Sequence, residues 1–177
     1  SKSFLILKDK RTSSAFGRFK TKIKMENAKA FKEKVYRTAV EQVEQRIEEL
    51  EKELDRLMES KESETKGSMG DKYETGATMI QIDEEKVREQ LNRNRTVKVD
   101  LEQLELDNVY PQVNKGNLVE TNKGVYFIGI GLGQIKIEGQ PCFCVSTDAP
   151  MGQALIGSKV GEEINYNGSV ITIEAIH

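Results

Sequence analysis

ESETKGSMGDKYE, residues Glu62 to Glu74, separates two heptad patterns that mirror one another in register. Upstream, Tyr36, Val40, Val43, Ile47, Leu50, Leu54 and Leu57 recur at alternating intervals of four and three, the narrow apolar stripe of a coiled-coil seam. Downstream, Ile80, Glu84, Val87, Leu91, Asn94, Lys98 and Leu101 keep those intervals, with polar residues at three of the seven places. Paired outwards from the turn, 57 with 80, 54 with 84 and so on to 36 with 101, the residue numbers always add to 137 or 138. Two antiparallel helices therefore meet about a centre near Ser68 and Met69. Gly67 and Gly70 flank that centre and supply the backbone freedom a reversal needs. An upstream helix from Ala28 to Glu64 spans roughly 55 Å at about 1.5 Å per residue, longer than a small domain is wide.

The chain is 177 residues long, 37% hydrophobic and 32% charged, which fits one or two domains with a thin core along much of the length. No apolar run is long enough to cross a membrane. The net charge of −2 hides an uneven distribution: residues 1–24 carry 8 basic and 1 acidic residue, 25–107 carry 15 and 22, and 108–177 carry 4 and 6. The acidic central part argues against a general nucleic-acid clamp, which needs clustered Lys and Arg.

Residues 1–24 form a segment of their own, basic and with one short apolar cluster at Phe4 to Leu7. It reads as a flexible or non-native extension ahead of Met25, with a nucleic-acid arm or a targeting presequence as the functional alternatives. Residues 25–107 read as the helical hairpin, rich in helix formers and free of proline, with its tip at 62–74. In its second arm Glu84, Asn94 and Lys98 interrupt the seam, a pattern that commonly sets alignment, while Val97 and Leu104 point to a shifted register near the end. At the tip Glu59, Glu62, Glu64, Asp71 and Glu74 lie among Lys61, Lys66 and Lys72. The plain reading of those charges is a solvated loop; the sharper one is a set of carboxylates carried on a probe.

Residues 108–177 change character to short apolar runs between glycine and asparagine turns. Strands are expected at Leu118–Glu120, Val125–Ile130, Gln134–Ile137, Cys142–Ser146, Glu163–Tyr166 and Val170–Ile176, with hairpin turns at Asn122-Lys123-Gly124 and Asn167-Gly168. Asp148-Ala149-Pro150-Met151 opens a short helix through Ile156 that Gly157 ends. The fold class is thus α+β: a coiled-coil hairpin followed by a small antiparallel β domain with one short helix.

The run VSTDAPMGQALIGSKVG, residues 145–161, together with the final strand, resembles the C-terminal domain of the Gre transcript-cleavage factors of bacterial RNA polymerase. The positions that carry the resemblance are Pro150, Gly152, Ala154, Leu155, Ile156, Gly157, Val160 and Gly161. The family also carries an upstream coiled coil, so the likeness extends over residues 25–177. It implies a C-terminal domain like that of the FK506-binding proteins. It also implies a hairpin that enters the polymerase secondary channel and presents tip acids beside a Mg²⁺ ion near the RNA 3′ end. The implied protein is a bacterial, cytoplasmic elongation regulator, and a monomer is expected because a seam closed within the chain leaves little apolar stripe for dimerisation. It would have no catalysis or cofactor of its own, would meet Mg²⁺ only in complex with RNA polymerase, and would have no membrane contact.

The tip departs from the family pattern Gly-Asp-x-x-Glu-Asn-x-x-Tyr. With Tyr73 as the matching tyrosine, the aspartate and glutamate fall on Lys66 and Met69. The nearest acids are Glu62, Glu64 and Asp71, with Gly67, Gly70 and Tyr73 shaping the turn. Either these acids reach the metal through a rebuilt turn, or the protein enters the channel and regulates without stimulating cleavage; the second is favoured. The tip also resembles that of a Gre-like paralogue group of Bacteroidetes.

The remaining chemistry is thin. Cys142 and Cys144 alternate along one strand and read as buried free thiols, poorly placed to bond each other. With His177 the single histidine, a zinc site lacks ligands and a Ser/His/Asp triad has little to draw on. Two other readings stay open: a coiled-coil adaptor, and a prolyl isomerase of the FK506-binding type, which needs an aromatic-lined pocket from among Tyr110, Tyr126, Phe127, Phe143 and Tyr166.

Overall fold

The computed structural model describes residues 25–67, 71–108 and 110–177, with the side chains at 25, 26, 65, 67 and 71–74 outside the description. The basic segment 1–24 and the turn centre 68–70 also lie outside it. Two long helices come first, α1 (Met25–Gly67) and α2 (Asp71–Glu102), followed by strands β1 (Leu118–Thr121), β2 (Gly124–Ile128), β3 (Gly133–Ile137) and β4 (Gln140–Val145). A short helix α3 (Pro150–Leu155) and strands β5 (Glu163–Tyr166) and β6 (Ser169–Ile176) complete the α+β fold. Both long helices run into the expected tip at 62–74, and α1 is three residues longer at each end than the expected Ala28–Glu64.

The seam joins the helices in the anticipated register. Leu50, Val87 and Leu91 are buried together, with Ile47, Leu54 and Leu57 packed around them. The three polar seam positions are each satisfied. Glu84 is buried and held by Lys61 at 3.3 Å and Arg88 at 4.0 Å. Asn94 turns its amide back to donate to the Gln90 carbonyl of its own helix at 2.8 Å. Lys98 reaches Glu44 across the hairpin at 2.9 Å, a contact that raises its pKa.

Towards its base α1 changes partner, and so its buried stripe shifts. Ala28, Phe31, Val35 and Ala39 are buried, whereas the seam positions Tyr36 and Val40 are only partly so. These residues face the sheet as well as α2, packing with Leu101, Leu118, Val125, Phe127, Ile135, Cys142 and Cys144. Val97 and Leu104 join this cluster, which accounts for the register shift near the end of the second arm. A helix lying against two surfaces needs a wider apolar face than a two-helix seam does.

The sheet has the strand order β3-β4-β2-β1-β6-β5. Its central strands are covered on both faces, which is why β1 is buried throughout. Leu118, Val125, Phe127, Cys142 and Cys144 face the hairpin, while Val119, Tyr126, Ile128 and Phe143 alternate with them and face Leu155 of α3. One expectation is corrected: the sheet is mixed, because β2 and β4 pair in parallel, Val125 to Cys142 through Ile128 to Val145. The β3–β4 hairpin folds so that β4 inserts beside β2 and leaves β3 at the edge. A parallel pairing is formed by distant segments and has no turn signature for local sequence to display.

Candidate functional site

The hairpin is a long lever with a packed base. α1 has 43 residues, roughly 65 Å at about 1.5 Å per residue. From Ile47, the last residue of α1 packed against the cluster at its base, to Gly67 it extends by roughly 30 Å at the same rise. The seam supplies apolar contact out to Leu57, after which polar pairs take over.

The candidate tip residues divide between the two helix ends and the turn. Glu62 and Glu64 lie on the last turns of α1, both exposed. Gly67 is the final residue of α1 and Asp71 the first of α2. Gly70 lies outside the described residues, Tyr73 sits in the first turn of α2, and the side chains of Asp71 and Tyr73 are likewise outside the description. Glu64 has a neighbour that spacing alone does not suggest, for its carboxylate lies against the backbone of Gly76 on the facing helix. A single Gly in a helical run gave no reason to look there. Among the described residues no group of three or more His, Cys, Asp or Glu could hold a metal ion.

At the base, three lysines of α1 tie the hairpin to the C-terminal half of the chain. Lys29 pairs with Asp107 at 3.0 Å, and Lys34 pairs with Glu138 in the β3–β4 turn. Lys32 is buried, and its ammonium donates to the carbonyls of Leu106 at 2.5 Å and His177 at 3.1 Å. Burial lowers the Lys32 pKa, with Asp107 opposing the shift. His177 in turn lies 2.7 Å from the buried carboxylate of Glu120. Composition offers no sign of this buried polar knot, because its acceptors are backbone carbonyls.

Most of the C-terminal motif answers to local backbone needs. Pro150 opens α3, Leu155 is fully buried beneath it, and Gly157 and Gly161 hold φ of +82° and +86°. Gly152 is the tightest: a Cβ there would lie 1.9 Å from the Ser146 carbonyl oxygen. Ala154 is half-buried, and Ile156 and Val160 are exposed apolar side chains. The thiols of Cys142 and Cys144 are buried and free. Contact with Cys144 and then burial push the Cys142 pKa far up, which keeps that thiol protonated and unreactive. Of the aromatics an isomerase pocket would draw on, Phe127 is fully buried and Tyr126 stacks on Phe143 with centroids 5.5 Å apart, so all three are committed to packing.

No protein-family model matches the chain. No curated protein matches it either. It is similar to the solved structure of the transcription factor Gfh1 at 17% identity, covering 78% of this chain and 93% of that one, with a TM-score of 0.32. That likeness is too loose to assign a family. No helix among the described residues is long and apolar enough to cross a membrane.

Proposed function

We propose that this chain is a cytoplasmic, Gre-type regulator of RNA polymerase whose hairpin enters the secondary channel and acts at its tip. The observation that carries the reading is the lever: an antiparallel hairpin braced at its base and running roughly 30 Å past its basal cluster, with exposed carboxylates at its end. The resemblance of residues 145–161 to the Gre C-terminal domain supports it. A Mg²⁺ ion, where one is met, belongs to the polymerase and supplies the activation of water for transcript hydrolysis. Such an ion takes one or two carboxylates with waters and phosphate oxygens, so the isolated acids Glu62 and Glu64 fit the part of added ligands and no more. The chain's own work is to deliver a carboxylate and to occupy the channel. Because Lys66 and Met69 stand where the family's acids fall, the action proposed is modulation of elongation without strong stimulation of cleavage.

The test is a stalled, backtracked elongation complex treated with the wild type and with Glu62→Ala/Glu64→Ala/Asp71→Ala. The expected result is altered transcript extension with little cleavage, abolished by the triple substitution. An effect that survives the substitution removes the acids from the mechanism. A second reading, a coiled-coil adaptor, is favoured by the exposed Met58, Met79 and Ile82 on the shaft. It requires partner capture that depends on these residues and is indifferent to the tip.

A further inference from the structure

The base of α1 is buried along a stripe spaced four, three and four: Ala28, Lys32, Val35 and Ala39. Three of these are apolar and pack in the cluster shared with the sheet. Lys32 is the single buried polar side chain of α1 among the described residues. Apolar contact is non-directional, so the other three would by themselves let the helix slide or swing on the sheet face. Lys32 adds direction. Its ammonium donates to the main-chain oxygens of Leu106, 2.5 Å away in the segment after α2, and of His177, 3.1 Å away just past β6. The second oxygen is itself fixed, because the N–H and the oxygen of His177 both pair with Leu118 of β1 at 2.8 Å. Any shift of the helix would strip a buried ammonium of these partners, which is costly. The two neighbouring lysines, Lys29 and Lys34, pair in solvent, where an ion pair holds little. A lone lysine in an apolar seam commonly fixes alignment at some cost in stability.

We infer that Lys32 is a positioning residue that sets the direction of the hairpin on the sheet, with α1, the segment after α2 and the paired ends of β1 and β6 meeting at its ammonium. The effect grows with length: over a lever of roughly 30 Å, a swing of about 10° at the base carries the tip about 5 Å. The inference goes beyond the proposed function, for it concerns where the lever points and not what its tip meets.

The test uses the full chain with spin labels at Glu59→Cys on the distal shaft and Lys123→Cys in the β1–β2 turn, both exposed positions. Cys142 and Cys144 are buried and leave the label to these two sites. Double electron–electron resonance reads the distance between the labels in the parent, in Lys32→Met, in Lys32→Gln and in Val35→Ala, with helical content checked by circular dichroism. Val35→Ala is the control, loosening the same cluster without removing the polar contacts. The parent and the control should each give one narrow distance. Lys32→Met, which has no donor, and Lys32→Gln, a neutral donor one atom shorter, should lose that narrow peak to a broad or shifted distribution. A narrow, unshifted peak in either folded Lys32 variant would overturn the positioning role. Equal broadening in Val35→Ala would overturn it too, by assigning the direction to packing. A broad distribution in the parent would overturn it without reference to any variant.

Discussion

Lys32 shows how a buried cation can be held by main-chain oxygens. Its ammonium satisfies the carbonyls of Leu106 and His177, and Lys32→Met leaves both without that donor. We expect a loss of about 2 kcal/mol in urea unfolding at neutral pH, the cost of leaving the Leu106 oxygen without its donor, while the His177 oxygen keeps the Leu118 N–H at 2.8 Å. The pH dependence has a definite sign. The folded-state pKa lies below the unfolded 10.5, so the folded chain releases the proton first and the Lys32 contribution to stability rises with pH between those values. Comparison of wild type and Lys32→Met over that interval isolates the rise, which the variant lacks. Gly152 is a sharper case: with the Ser146 oxygen 1.9 Å from a built Cβ, Gly152→Ala must move backbone, at about 3 kcal/mol. Cys142 and Cys144 should resist a thiol reagent until the protein unfolds; rapid labelling of the native chain would contradict their burial. The paired glycine and proline positions of the C-terminal motif were legible in sequence because turns and helix starts are local. Lys32 was not, since nothing local says that a lysine will meet carbonyls 74 and 145 positions away.

The two arms of the hairpin differ in what they ask of their seam. Leu50 is fully buried against Val87 and Leu91, and Leu50→Ala should cost about 3 kcal/mol as a core truncation, measured by thermal or urea unfolding. Glu84 is buried in the same seam but paired to Lys61 and Arg88, which are themselves largely exposed. Glu84→Leu should therefore stabilise the hairpin, by about 1 kcal/mol, since its partners can return to water. A matching loss would mean that the ion pairs contribute more than the apolar contact they displace. The heptads of 36–57 and 80–101 were readable because a coiled coil repeats its packing every turn. The base of α1 was not, for there Ala28, Phe31, Val35 and Ala39 face a sheet whose position depends on the whole chain. The parallel pairing of β2 with β4 escaped for the same reason, while the Asn167-Gly168 hairpin, with φ of +51° and +75°, was visible in two residues.

Taken whole, the molecule is a lever with one end anchored. The sheet, buried on both central faces, and the segment leading into it hold the base of α1 through an apolar cluster and three lysines, and α3 closes the far side. The free end carries Glu62 on the surface and Glu64 against Gly76. The tip position could be read from sequence as a centre of symmetry, and its acids as candidates by composition. The function proposed for this lever stands or falls on one partner. Competition between this chain and an authentic Gre factor for core RNA polymerase measures that directly. Displacement of the Gre factor at about micromolar concentration, a binding free energy near −8 kcal/mol, is the predicted result. No binding to the polymerase at that concentration would contradict it.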